Sequence, residues 1–70
     1  MKGNMNIEDT IFATIRKAGN TLGRHTLSGF DSVGAVLREL CGMHSGVRGL
    51  VTIELRNGTL GWSEQLNLRL

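Results

Sequence analysis

The sequence predicts a single α+β domain in which two amphipathic helices pack on one face of a C-terminal antiparallel β-hairpin, an ααββ architecture. Apolar residues recur at helical spacing within 7–18 and again within 32–42, and they alternate with polar residues after position 50. A chain of 70 residues is long enough for one domain only. We therefore treat 1–70 as one unit, with residues 1–5 expected to form a flexible tail.

The first helix is predicted at 7–18. Asn6 is a favourable N-cap residue, and Arg16 and Lys17 fall in the last turn, where positive charge complements the helix dipole. Gly19 is typical of the residue that follows a helix end. The apolar face of this helix would comprise Ile7, Ile11, Phe12, Ile15 and Ala18.

The segment 19–29 is predicted to be a loop, because three glycines interrupt it. A short extended stretch from Arg24 to Ser28 leaves an alternative open. In that alternative, residues 24–28 form a third strand at the edge of the sheet.

The second helix is predicted at 32–42. Asp31 or Ser32 is placed to cap its N-terminus, and Gly42 to end it. This segment has the best helical periodicity in the chain. Its apolar face would comprise Val33, Val36, Leu37, Leu40 and Cys41.

The hairpin is predicted at 47–70, with Asn57-Gly58 as its turn. Asn-Gly favours a two-residue type I′ turn, in which both central residues need positive φ. This turn sets Ile53 opposite Trp62, and the alternation of residues along both strands agrees with that register. Extending the register places Leu68 opposite Val47. Trp62 is accordingly interpreted as a core residue rather than as a surface for stacking a base.

Composition narrows the functional classes. The hydrophobic fraction is 40%, and no apolar run approaches the roughly 20 residues that span a bilayer, so we expect no membrane segment. The stretch 1–5 has no apolar run behind it and is not typical of a secretory signal. Cys41 is the single cysteine, which excludes an internal disulfide and favours a cytoplasmic location.

One set of residues resembles metal ligands or a nucleophilic pair, namely Cys41 and His44 together with His25. A structural zinc site needs four ligands, and Cys41 lies on the predicted core face of its helix. The C-terminal end of a helix also disfavours a thiolate. We therefore predict no catalytic residue, no cofactor and no metal site, and we do not expect an enzyme.

A basic segment at 16–25 supports one functional hypothesis. It contains Arg16, Lys17, Arg24 and His25, and no acidic residue occurs between Asp9 and Asp31. Its glycines leave backbone amides open to an anion, which makes a nucleic-acid or phosphate-binding module the alternative function. The spacing matches neither a Walker loop nor a dinucleotide fingerprint. The competing interpretation is a helix end followed by a solvated loop.

The C-terminal leucines support the leading hypothesis. Leu66, Leu68 and Leu70 lie on one side of a strand that extends beyond the strongly apolar part of its partner. Such a strand offers apolar side chains and an unpaired edge to a second copy or to another protein. We therefore predict a non-enzymatic protein-interaction module whose partner is another protein or a second copy, which would form a homodimer through the C-terminal strand.

Overall fold

The computed structural model describes residues 4–70, which form a four-stranded antiparallel sheet with one short helix on one face. Two hairpins lie side by side, and the helix connects them. The order across the sheet is β2-β1-β3-β4, so β2 and β4 are the two edges. The elements are β1 (Ile11–Lys17), β2 (Asn20–Leu27), α1 (Val33–Met43), β3 (Leu50–Asn57) and β4 (Ser63–Arg69).

The predicted helix at 7–18 is wrong, and with it the arrangement of two helices on a hairpin. Residues 11–17 form β1, in which Ile11, Ala13 and Ile15 are buried on the helix side. Phe12 lies on the opposite face, although the helical interpretation made it a core residue. The apolar residues of this segment fit both the 3.6-residue period of a helix and the two-residue period of a strand. The strand forms because β-branched isoleucines pack well in a central strand between two others.

The predicted loop at 19–29 is also wrong over most of its length, because Asn20–Leu27 forms β2. The alternative prediction, an edge strand at 24–28, identified the C-terminal part of β2. Ala18 and Gly19 form the turn between β1 and β2, with φ of 51° and 80°. The two-residue turn of this protein is therefore here, at the point where the helix was predicted to end.

The second predicted helix is present at Val33–Met43, within one residue of the expected bounds. Ser32 caps it, with its Oγ accepting a hydrogen bond from the Ala35 amide at 3.2 Å. Gly42 lies inside the helix rather than ending it, and the His44 amide donates to the Leu40 carbonyl at 3.0 Å.

The predicted hairpin exists in part, with a different turn and register. Ile53 lies opposite Leu66 rather than Trp62, a shift of four residues, and β3 begins at Leu50 rather than at 47. Because the shift is even, every side chain of β4 keeps its predicted face. Asn57 does not lie in a two-residue turn; it ends β3, and the connection to β4 runs through 58–62.

The core lies between α1 and one face of the sheet. Its buried aliphatic side chains each contribute about 1.5–3 kcal/mol by leaving water. Residues 1–3 of the predicted tail lie outside the described residues, whereas Met5 is buried in the core. The full core cluster is Met5, Ile11, Ala13, Ile15, Val36, Leu40, Val51, Ile53 and Leu55.

Candidate functional site

The face of the sheet opposite α1 carries a continuous polar surface, which we call the open face. No helix or strand within 4–70 covers it. Register across the four strands arranges its side chains in rows. The three longest rows are Thr26-Phe12-Arg56-Ser63, Arg24-Thr14-Glu54-Gln65 and Thr21-Arg16-Thr52-Asn67, and Leu50 pairs with Arg69 in a fourth.

The open face is strongly positive. It carries four arginines and one glutamate, a net charge of +3. The whole chain has a net charge of +2, so the rest of the molecule carries −1. The excess positive charge is therefore concentrated on one side of the sheet. The charged residues of the open face are Arg16, Arg24, Arg56, Arg69 and Glu54.

Two contacts organise these charges. The Arg56 guanidinium carbon lies 4.4 Å from the centre of the Phe12 ring, which is cation–π geometry. Arg16 forms an ion pair with Glu54 between the two central strands, with both side chains about 40% exposed. Glu54 therefore neutralises one arginine, while Arg24 and Arg56 form no ion pair within residues 4–70.

The structure separates the predicted basic residues. Arg16 and Arg24 come together on the open face as diagonal neighbours on β1 and β2. Lys17 instead donates to the Arg48 carbonyl at the end of the sheet. His25 points to the other face of β2, where it meets His44. The segment 16–25 is therefore a hairpin with two faces rather than one basic loop.

Among the aromatic and basic residues of the open face, sequence reasoning did not assign Phe12, Arg56 and Arg69 to a binding site. The helical interpretation places Phe12 on an apolar face, and Arg56 and Arg69 belong to the other hairpin. For Phe12, the signal in the sequence is the alternation of Ile11, Ala13 and Ile15 with Phe12, Thr14 and Arg16, which has the period of a strand. That pattern places Phe12 opposite Arg56 only when β1 is recognised as a strand.

The histidines near the helix end form a pair. His25 Nε2 and His44 Nε2 are 2.9 Å apart, and the rings meet edge to face. Gly23 leaves room for them, because a Cβ there would approach both rings to about 3.0 Å. Cys41 is half-buried on α1. Within residues 4–70, no three His, Cys, Asp or Glu side chains cluster as metal ligands would.

Among residues 4–70, no strand pairs with the backbone groups on the outer side of β4. Leu70 exchanges two hydrogen bonds with Gly49, at 2.8 and 3.0 Å, and the Trp62 carbonyl accepts from Asn57 at 2.8 Å. The even-numbered residues therefore bond inward, since bonded residues alternate along an antiparallel strand. The odd-numbered residues direct their N–H and C=O groups away from the sheet. These are Ser63, Gln65, Asn67 and Arg69.

The three C-terminal leucines lie on the helix side of this same edge. Leu66, Leu68 and Leu70 are half-buried and pack against the core cluster. Trp62 packs there too, as the sequence predicted, and its indole N–H donates to the Asn4 carbonyl. The leucines thus belong to the core on one side and remain partly exposed on the other. Leu60, in the connection before β4, is also 49% exposed.

The chain has no match among protein-family models, curated proteins or solved structures. Among residues 4–70, no helix has the length and apolar character needed to cross a membrane.

Proposed function

We propose that this protein is a non-enzymatic, cytoplasmic interaction module that pairs with a second copy of itself through β4. The single observation that carries the proposal is the regular outer edge of β4, with its outward backbone groups and its row of half-buried leucines. Pairing there would join two four-stranded sheets into one sheet of eight strands.

The backbone supports this pairing. Gln65, Asn67 and Arg69 direct N–H and C=O groups outward. Nothing within 4–70 pairs with them, and an exposed edge of this kind is a template for another strand. Two antiparallel copies of the same strand satisfy each other about a two-fold axis, which is the commonest symmetry of homodimers.

The side chains suit the same arrangement. With the axis at Asn67, Leu66 lies opposite Leu68 of the second copy, on the helix side. On the open face, Gln65 lies opposite Arg69 of the second copy. Cross-strand pairs of this kind contribute about 0.2–1 kcal/mol each. The dimer would therefore complete the burial of leucines that one copy covers only in part.

The other edge is poorly suited to pairing. Between Ile15 and Arg16 the register of β1 with β2 shifts, so that Leu22 is an extra residue on β2. A bulge of this type bends the strand and interrupts regular pairing, and natural edges use it to avoid association. No such irregularity occurs between β3 and β4. The proposal therefore assigns association to β4 alone.

Asn67→Pro tests the proposal. The amide of Asn67 points outward, so proline removes a donor for the second copy and leaves the bonds to β3 in place. We expect the wild type to sediment as a dimer at micromolar concentration. The variant should be a folded monomer, with an unchanged circular dichroism spectrum and a dimer dissociation constant raised at least tenfold.

Asn67→Ala is the matched control. It removes the same side chain, including its 3.0 Å hydrogen bond with Thr52, but keeps the outward amide. This control should remain dimeric. A wild type that stays monomeric at high micromolar concentration, or an Asn67→Ala variant as monomeric as Asn67→Pro, would contradict pairing through the β4 backbone.

A further inference from the structure

We infer that the open face binds single-stranded nucleic acid, with the Phe12–Arg56 pair stacking a base and the flanking arginines contacting phosphates. This inference does not depend on pairing through β4, because the face is complete within one copy. It uses residues from all four strands rather than the basic segment 16–25 alone.

Charge complementarity identifies a polyanion as the ligand. The open face has a net charge of +3, while the rest of the chain has −1. All four of its cations are arginines, whose planar guanidinium binds phosphate through two parallel hydrogen bonds. Arg24 and Arg69 form no ion pair within residues 4–70, so both are available to phosphate without first releasing a carboxylate.

The Phe12–Arg56 pair points to a ligand with exposed bases. The Arg56 guanidinium lies over the Phe12 ring, 4.4 Å from its centre, and Phe12 itself is 36% exposed. Nucleic-acid bases stack both on aromatic rings and on guanidinium planes. The acidic side chains of a peptide cannot stack on this pair as bases do, and this favours nucleic acid over an acidic peptide.

The shape of the surface favours a single strand over a duplex. The four strands span about 14 Å at the usual inter-strand spacing, and the one helix within residues 4–70 packs on the opposite face, so no helix is presented here to enter a groove. In a duplex the bases are paired and stacked on each other, so they cannot stack on Phe12. A single strand lying across the rows presents bases to the Phe12–Arg56 pair and phosphates to Arg24 and Arg69.

Fluorescence anisotropy with labelled oligonucleotides tests the inference. The probes are oligothymidylate and oligouridylate of about 12 nucleotides, within the range that single-strand-binding domains cover, and the thymidylate hybridised to its complement as a duplex. We expect both single strands to bind more tightly than the duplex. Affinity should fall with salt by about 0.7 logarithmic units per phosphate contact for each tenfold increase in concentration.

Three variants separate the contribution of base stacking from that of phosphate contacts. Phe12→Leu should weaken binding about tenfold through lost stacking, with little change in the salt dependence. Arg24→Ala should weaken binding and also reduce the salt slope by the value of one phosphate contact. Arg38→Ala makes the same change of charge at an exposed position on α1, away from the open face, and should leave affinity within about twofold.

Several results would overturn the inference. Equal losses in Arg24→Ala and Arg38→Ala would show attraction by overall charge rather than by a site. Polyglutamate binding as tightly as the oligonucleotides, with Phe12→Leu unchanged, would assign the face to acidic proteins. Tighter binding of the duplex would exclude a single strand. A melting curve for each variant establishes that it is folded, and Arg56→Ala provides a second test of stacking if Phe12→Leu unfolds.

Discussion

The two hairpins of this sheet close in different ways. The first turns at Ala18-Gly19, where two consecutive residues have positive φ and the chain reverses within two residues. The second hairpin needs the five residues 58–62 and is fixed by a buried side chain, Asn57. One turn is thus specified by local backbone geometry, and the other by contacts between distant parts of the chain.

Asn57 links three segments. Its side-chain oxygen accepts from the amides of Thr59 and Leu60, at 2.9 and 2.7 Å, which shapes the turn. Its side-chain nitrogen donates to the Asp9 carboxylate at 3.0 Å, and that carboxylate also accepts from the Asn6 amide at 2.9 Å. Both Asn57 and Asp9 are buried, so the bonds form away from water. The second hairpin is therefore tied to the segment that precedes β1.

The comparison extends to the outer strands. The hairpin with the tight turn has an edge interrupted by a bulge, whereas the hairpin with the long turn ends in the regular strand β4. The surface proposed to pair with a second copy is the outer edge of β4. The two central strands, by contrast, contribute equally to the core and to the middle of the open face.

The largest effect that we expect comes from Asn57→Ala. It leaves a buried carboxylate with one donor fewer and two turn amides without an acceptor, which should lower the free energy of unfolding by about 2–4 kcal/mol. That is a large part of the roughly 3–10 kcal/mol available to a domain of this size. Urea unfolding followed by tryptophan fluorescence measures it.

Thr59→Ala is the control for this prediction. Thr59 also joins the turn to the segment before β1, since its hydroxyl accepts from the Thr10 amide at 3.1 Å, but that bond is exposed. Its removal should cost about 0.5–1 kcal/mol. Similar losses in the two variants would show that burial of Asn57 is not what fixes the second hairpin.

The same residue explains why the sequence was misinterpreted. Asn57-Gly58 has the composition of a type I′ turn, and that signal is local. The contact with Asp9, 48 positions away, cannot be seen in a local pattern, and it draws Asn57 to the end of β3. Conversely, Ala18-Gly19 contains alanine at a position where asparagine or glycine is usual, so the true two-residue turn gave no recognisable signal.

Other parts of the fold were predictable for physical reasons. The helix α1 was found because Ser32 caps it and its apolar face has a clear period of 3.6. The alternation along β3 was also found, although β1 was not, because Ile11, Phe12 and Ile15 satisfy the helical period as well. Of the open face, only Arg16 and Arg24 were predicted as anion-binding residues, since a surface built from four strands depends on the register between them.

A smaller effect is expected at Gly58, for a reason different from turn geometry. Its φ is not in the left-handed region, but a Cβ there would lie 2.7 Å from Cε2 of Phe12. Gly58→Ala should therefore displace the Phe12 ring and cost about 1 kcal/mol, within the range for overpacking an ordered site. Thermal unfolding of the variant measures the cost.

A double-mutant cycle isolates this contact. In a Phe12→Ala background the obstructing ring is absent, so Gly58→Ala should cost less than about 0.5 kcal/mol. An undiminished cost in that background would show that backbone conformation at Gly58, rather than its approach to Phe12, requires glycine.

The smallest effect, and the only stabilising one, is expected at Ala18. This residue holds φ at 51°, where a Cβ is unfavourable and where asparagine is better tolerated than alanine. Ala18→Asn would give the first hairpin an Asn-Gly turn. The second hairpin contains the dipeptide Asn57-Gly58 but does not turn there. The substitution should raise the free energy of unfolding by about 0.5–1 kcal/mol, measured by urea unfolding.

Ala18→Ser adds a polar atom without the preference of asparagine for positive φ, and it should leave stability within about 0.3 kcal/mol. Equal gains from both substitutions would attribute the effect to polarity at an exposed turn. No gain from Ala18→Asn would show that the first hairpin, like the second, is fixed by contacts beyond its own turn, and the contrast between the two would disappear.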